Sequence, residues 1–311
     1  MTQRFTSEHV AKWRTDGGVL IPNFFTGDEV AAVRADFEVV FDRREGAQEG
    51  MDKKKPGEIG KFNPVQFKTF DAIPFDCSPA LNLIGVHSAL IAFARAALRT
   101  DHVHLYQCHA WAKFTGDADY DQPFHCDFNN HTLTTPSEDE TLNSVTILCY
   151  FTDVTEAHGP MHYVTRTDSV KIAGPEESLT RGAEIQGELL RFERSSAAPA
   201  GSIFPYTIDV YHRGTNMTAP GGCRFAVMAS FKNTKNDTIG YHAWPFHYRK
   251  PWHNVFDHAT PDQLSCFGVH VPGHPFWTKV TLARVQTRYP NWDLSPYREA
   301  VFSRGNFYFG P

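Results

Sequence analysis

Five residues carry the chemistry that can be read from this chain. His125-Cys126-Asp127 places an imidazole and a carboxylate two positions apart, His212 adds a second imidazole, and Arg224 adds a guanidinium. Two imidazoles and one carboxylate on one face of an Fe(II) ion leave the opposite face open for a cosubstrate and dioxygen. A guanidinium beyond the second histidine suits a dicarboxylate bound there, because its planar fork matches carboxylate geometry. On an extended strand, alternate side chains share a side, so His125 and Asp127 reach one metal while Cys126 points away. The second imidazole then arrives from another strand, which permits the long gap to His212. A His-x-Asp triplet is expected about once by chance in a chain of this composition. It occurs once here, so the weight rests on the segments around it.

Other candidates keep plainer readings. A histidine in a β-rich chain is more often a hydrogen-bonded structural group than a ligand, and His102, His104, His109, His131, His158 and His162 are read that way. Lys113 either reaches the cosubstrate or snorkels to solvent. Asn216 reads as a turn-fixing residue. The same ligands suit Zn2+, so a zinc hydrolase or isomerase stays open beside the iron reading, as does a binding protein without turnover. Arg224 favours the iron enzyme, since hydrolysis has no general need of it.

Strands must carry these side chains, and the chain from His102 onward supplies them. Segments His102 to Phe114, Ser144 to Phe151, Ser202 to Tyr211 and Arg224 to Phe231 are β-rich and separated by turn residues. Pro220-Gly221-Gly222 signals a turn that puts His212 and Arg224 on adjacent antiparallel strands. Earlier, Thr26-Gly27-Asp28-Glu29 is a capping-box pattern followed by Val30, Val33, Phe37 and Val40 at helical spacing. Ser78-Pro79 opens a second helix running to Leu98. Arg43 to Phe62 reads as a solvated loop in preference to a mobile lid above an active site, and Tyr241 to Tyr248 as core packing or a pocket wall. The expected fold class is mainly β with flanking helices, one domain over residues 1–311. Its helical part spans about 1–100, its β core about 101–235 and an irregular aromatic-rich part about 236–311. The core strands close into a double-stranded β-helix, a jelly-roll, cupin-like barrel whose mouth holds a ligand.

Composition narrows the partners. With 41% hydrophobic and 21% charged residues, 311 residues support one sizeable core. No apolar run long enough to span a bilayer is expected, and Met1-Thr2-Gln3-Arg4-Phe5 lacks the apolar stretch of a secretory leader. Six cysteines without Cys-x-x-Cys spacing disfavour a zinc knuckle and a disulfide framework, and suit a reducing cytoplasm. A net charge of −5 argues against a nucleic-acid surface. The expected partner is a small molecule, with no nucleic acid and no membrane.

The order of these features resembles the phytanoyl-CoA dioxygenase family of Fe(II)/2-oxoglutarate oxygenases, from about Thr6 to Ser230. Thr15 to Phe25 resembles its opening strand before a capped helix, and Phe124-His125-Cys126-Asp127 its metal triplet. Thr152 to His162, with His158-Gly159-Pro160, resembles its Asn-Gly-Pro stretch, and His212 to Thr218 with Arg224 its distal histidine and cosubstrate arginine. The resemblance implies Fe(II) held by His125, Asp127 and His212 as the catalytic set, and 2-oxoglutarate with its far carboxylate on Arg224. It also implies that O2 converts the cosubstrate to succinate and CO2 while a substrate C–H bond is hydroxylated. Family members often carry a hydroxyl two residues after the distal histidine, where this chain has Gly214, so Lys113, Thr218 or water is expected to assist Arg224. Halogenating relatives replace the carboxylate ligand, so Asp127 favours hydroxylation or desaturation.

Overall fold

A computed structural model of the chain describes residues 4–41, 70–116, 121–132, 137, 139–174, 182–240 and 250–305. The charged segment 43–62 and the aromatic segment 241–248 lie outside the described residues. Helix α1 (Ser7–Asp16) starts on Thr6, which forms a reciprocal capping box with His9, and stops at Gly17 in the left-handed region, φ 75°. A Cβ at Gly17 would lie 2.3 Å from Val210 Cγ2, so close approach as well as conformation demands glycine. The opening strand reduces to two isolated bridges, Gly18 to Tyr206 and Ile21 to Ile203. Helix α2 (Gly27–Phe41) begins with the anticipated capping box: Thr26 N donates to Glu29 Oε2 at 2.8 Å and Glu29 N to Thr26 Oγ1 at 3.3 Å.

The helix expected from Ser78 to Leu98 is two helices, α3 (Pro79–Ile84) and α4 (Ser88–Leu98). The break falls where Gly85 packs so closely that a Cβ would lie 2.6 Å from Cys108 Sγ, and where His87 Nδ1 accepts from Ala89 N to start α4. Contrary to the sequence reading, Pro79–Leu98 is long and apolar enough to cross a membrane, with mean hydropathy 1.5. Its apolar residues are core instead: Leu81, Leu90, Phe93, Ala94, Ala97 and Leu98 are fully buried.

The main sheet is antiparallel, in the order β1 (Phe70–Ala72), β2 (Val103–Phe114), β8 (Cys223–Asn233), β3 (Ser144–Tyr150), β6 (Ile203–Tyr206). A second sheet is ordered β5 (Arg194–Ser195), β4 (Met161–Tyr163), β7 (His212–Gly214). Strand alternation divides the main sheet into two faces. Ala110, Ala112, Val145, Ile147, Phe225 and Val227 join a core with α1 to α4. Leu148, Tyr150, Phe204, Tyr206 and Ala226 meet Met161 and Tyr163 of the second sheet.

Three expectations need correction. Helices hold more of the described residues than strands do, so the chain is mixed α and β rather than mainly β. The final part is not irregular: it carries α8 (His253–Phe256), α9 (Pro261–Ser265), α10 (Lys279–Arg288) and α11 (Ser295–Gly305), and Trp277 before α10, Trp292 before α11 and Tyr297 within α11 bury into the main core. His212 and Arg224 lie in different sheets rather than on neighbouring strands. The turn at Pro220-Gly221-Gly222 carries the chain between sheets because Thr115, at the end of β2, holds it: Thr115 Oγ1 donates to Ala219 O at 2.6 Å and Thr115 N to Gly222 O at 3.1 Å.

Candidate metal centre

His212 opens β7, and the segment ending at His125 runs antiparallel to it: His125 N donates to His212 O at 3.0 Å, and His212 N to His125 O at 2.9 Å. Asp127 is off the strand, with helical backbone at φ −84° and ψ −8°, as the residue that starts α5 (Phe128–His131). The strand argument therefore does not account for Asp127; a turn brings it round. Ligand atoms of His125, Asp127 and His212 lie within 4.8 Å of one another. His125 Nε2 is 3.8 Å from Asp127 Oδ1, and His212 Nε2 is 3.3 Å from Asp127 Oδ2.

The donor set fits a divalent metal. Each imidazole has its Nδ1 against a backbone carbonyl, His125 on Pro123 O at 2.9 Å and His212 on Val210 O at 3.0 Å. Carbonyls only accept, so Nδ1 carries the proton and the Nε2 lone pair faces the cluster. Burial works to raise the Asp127 pKa, but His212 and His125 beside it hold the carboxyl well below the usual range. Burial and the His212 charge depress His125, whereas His212, pulled down by burial, is raised on balance by Asp127. Tyr206 donates its hydroxyl to Asp127 Oδ2 at 3.3 Å. No sequence signal pointed to Tyr206, which sits in an apolar strand between its partners Thr146 and Gly18.

The strand carrying His212 is anchored from its other face. Arg213 donates Nε to Glu193 Oε2 at 2.8 Å and its Nη1 lies 3.1 Å from Asp121 Oδ2. His162, cross-strand from Arg213, sits 3.1 Å from Glu193 and 2.9 Å from Glu156, a structural role as read.

Arg224 and Lys113 are cross-strand partners on β8 and β2 and both are buried. Arg224 donates to Gly159 O, and its guanidinium lies 5.9 Å from the Trp111 ring centroid. Among the described residues it has no carboxylate partner, and burial lowers its pKa. Lys113 does not reach solvent; Nζ donates to Thr215 O at 2.8 Å. Gly159 is left-handed, φ 62°, and a Cβ there would lie 2.6 Å from Thr215 O, so this glycine brings the carbonyl that holds Arg224 against the chain just beyond β7. Thr218 is exposed and its backbone N donates to Ala157 O at 2.8 Å, so the structure shows it as a surface residue beside that loop. Asn216 donates its backbone N to Asp121 Oδ1 at 2.7 Å, consistent with loop fixing.

Comparison with known proteins agrees with this arrangement. No curated protein matches the sequence. Among solved structures, the SnoN epimerase of nogalamycin biosynthesis, in complex with Fe3+, α-ketoglutarate and nogalamycin RO, is similar at TM-score 0.52 and 18% identity, covering 73% of this chain and 82% of that one. EctD from S. alaskensis gives 0.54 at 15% identity, covering 80% and 83%. HygX from Streptomyces hygroscopicus, with nickel, 2-oxoglutarate and hygromycin B bound, gives 0.50 at 16%, covering 74% and 88%. These likenesses show a shared fold. The family model for phytanoyl-CoA dioxygenase (PhyH) matches residues 13–216, a span holding the metal triplet, the Gly159 loop and His212. By that match over more than half its length, the chain belongs to the phytanoyl-CoA dioxygenase family.

Proposed function

We propose that the chain is an Fe(II)- and 2-oxoglutarate-dependent dioxygenase that hydroxylates a C–H bond of a small molecule, releasing succinate and CO2. One observation carries this reading: a His125–Asp127–His212 cluster shares the space between two sheets with the buried guanidinium of Arg224, which has no carboxylate partner among the described residues. A buried charge without a counterion costs several kcal/mol, about what an anionic ligand would offset. In this reading the two sheets are the halves of a double-stranded β-helix, with the metal between them.

When bound, Fe(II) and the keto acid supply the activation of dioxygen. The protein binds, orients and excludes water. His125, Asp127 and His212 hold the ion on one face, and Tyr206 orients the carboxylate from behind. Arg224 pairs with the far carboxylate of the cosubstrate, and Lys113 adds a second positive charge at that end. Trp111 lies beside the guanidinium and Tyr150, fully buried, is near enough to feel its charge, so the charge pair forms away from water, where it is stronger. Asp127 fills the carboxylate position, which supports hydroxylation over halogenation. Solved relatives holding nogalamycin RO and hygromycin B support a small-molecule substrate. Succinate formation from 2-oxoglutarate in air, dependent on added iron and lost in Asp127→Ala, is the expected result; succinate formation unchanged by Asp127→Ala overturns the reading.

A further inference from the structure

His125 and Asp127 belong to a stretch whose other face is backed by a helix. Phe124, Cys126 and Phe128 alternate with the two ligands and are buried in one apolar cluster with Leu189 of α7 (Ala183–Arg191), while ligand atoms of His125 and Asp127 meet His212. Pairing with β7 uses the N–H of Gln122 and both backbone groups of His125. The N–H and C=O of Phe124 therefore point to the opposite edge, as alternation in an antiparallel pair requires. Among the described residues no strand covers that edge. Gln186, a buried residue of α7, takes both groups instead: Phe124 N donates to its Oε1 at 2.8 Å, and its Nε2 donates to Phe124 O at 2.8 Å.

Each of those bonds ends on a peptide unit that serves a metal ligand. Phe124 N–H shares its unit with Pro123 O, the carbonyl that accepts from His125 Nδ1 at 2.9 Å. Phe124 O shares the next unit with His125 N–H, which donates to His212 O at 3.0 Å. A continuous chain runs from Gln186 Oε1 through the Pro123–Phe124 peptide to the His125 ring, and ends at Nε2, the atom that faces the cluster. Hydrogen bonds in series polarise one another, so the amide makes Pro123 O a stronger acceptor and the Nε2 lone pair more basic towards a metal. Position is fixed by the same contacts, because a planar peptide held at its N–H and at its C=O cannot swing the imidazole. The ring of Phe124 is held too, fully buried with the Arg213 guanidinium 5.5 Å from its centroid.

Resting on the function proposed above, we infer that Gln186 is a positioning residue of the metal centre, its side-chain amide fixing from α7 the two peptides that aim His125 and tie it to His212.

Gln186→Met tests this, because methionine fills a similar volume on α7 without the amide. Leu189→Ala is the control: it removes a fully buried side chain three residues on, from the same helix face, and leaves the amide in place. Co(II) titrated into the apoprotein gives an affinity and a visible ligand-field spectrum, and urea unfolding of the apoprotein gives stability. Groups that orient metal ligands typically contribute 10–100-fold in affinity, so Gln186→Met weakens Co(II) by about tenfold or more and shifts the bands of the bound ion. Leu189→Ala lowers the urea midpoint but keeps the wild-type Co(II) affinity and spectrum. Gln186→Asn, whose amide falls one methylene short of Phe124, shows the same loss and decides the matter where the methionine variant does not fold. A smaller loss of Co(II), a wild-type spectrum at saturation, or an equal loss in Leu189→Ala overturns the inference alone. Wild type that binds no Co(II) overturns the metal centre on which it rests.

Discussion

Replacing Arg224 by methionine should separate stability from function. Its guanidinium is buried, with one charged hydrogen bond to Gly159 O and the Trp111 ring at 5.9 Å as its visible compensation. Burying such an ion costs several kcal/mol after relaxation. The hydrogen bond returns roughly 1.5–3 kcal/mol and the ring roughly 0.5–2 kcal/mol. The terms nearly cancel, so Arg224→Met, which fills a similar volume without charge, should change the stability of the ligand-free protein by no more than about 1 kcal/mol. Ligand binding should respond differently. Truncating one partner of a buried charge pair costs about 2–5 kcal/mol, or roughly 30-fold to several thousandfold in affinity. Urea unfolding of the Ni(II) protein reads both effects. With 2-oxoglutarate at about 100 times its Kd, wild type should gain about 2.7 kcal/mol, and the variant at the same concentration no more than about 0.9 kcal/mol. A variant that keeps that gain, or that loses more than about 3 kcal/mol without ligand, refutes the reasoning, because Arg224 would then be a structural ion.

Other outcomes follow from the same geometry. Tyr206→Phe removes the hydroxyl that donates to Asp127 at 3.3 Å; metal affinity, measured by competition with a chelator, should fall about tenfold. Glu29 is held at about 2 because, against the raising effect of burial, Arg4, the Thr26 amide and His87 favour its charged form. Its folded pKa is depressed, so its contribution is present above about 4.5 and is lost as pH falls towards about 2. Glu29→Gln should therefore lower stability at pH 7 by roughly 2–3 kcal/mol and flatten the acid limb of the urea midpoint between these values. Phe37 is fully buried and stacks on Phe225 with centroids 4.9 Å apart, behind the strand that carries Arg224. Phe37→Ala should cost about 3–5 kcal/mol in chemical unfolding.

Much of this was legible in the sequence where the signal is local. The capping box at Thr26 and Glu29 forms as its spacing says, and strands β2, β3 and β8 match their β-rich segments within a residue or two. That His125, Asp127 and His212 converge was legible because metal chemistry would constrain their residue types, not only their backbone. What failed depends on long-range pairing. Whether the Pro220-Gly221-Gly222 turn joins neighbouring strands or two sheets is decided by Thr115, more than a hundred residues earlier in the chain. Lys113 faces the buried end of the site because β2 pairs with β8 in the register that sets it opposite Arg224, which no local pattern announces. Thr218, offered as a helper of Arg224, is exposed while its neighbours Met217, bridged to His158, and Ala219 are buried, an alternation set by that pairing. The last helices carry a local signal too: Thr260-Pro261-Asp262-Gln263 is a capping box with proline in the first turn, set among aromatic residues that have no helical spacing.

Anaerobic titration of Fe(II) and then 2-oxoglutarate into the apoprotein, followed by visible absorption, bears most directly on the central claim that His125, Asp127 and His212 hold iron for a keto diacid anchored on Arg224. The account predicts one iron per chain and a charge-transfer band that appears only with 2-oxoglutarate, disappears in Asp127→Ala and His212→Ala, and needs far more 2-oxoglutarate in Arg224→Met. Wild type that binds iron and shows no band at any 2-oxoglutarate concentration, or a band that survives loss of Asp127 and His212, contradicts it.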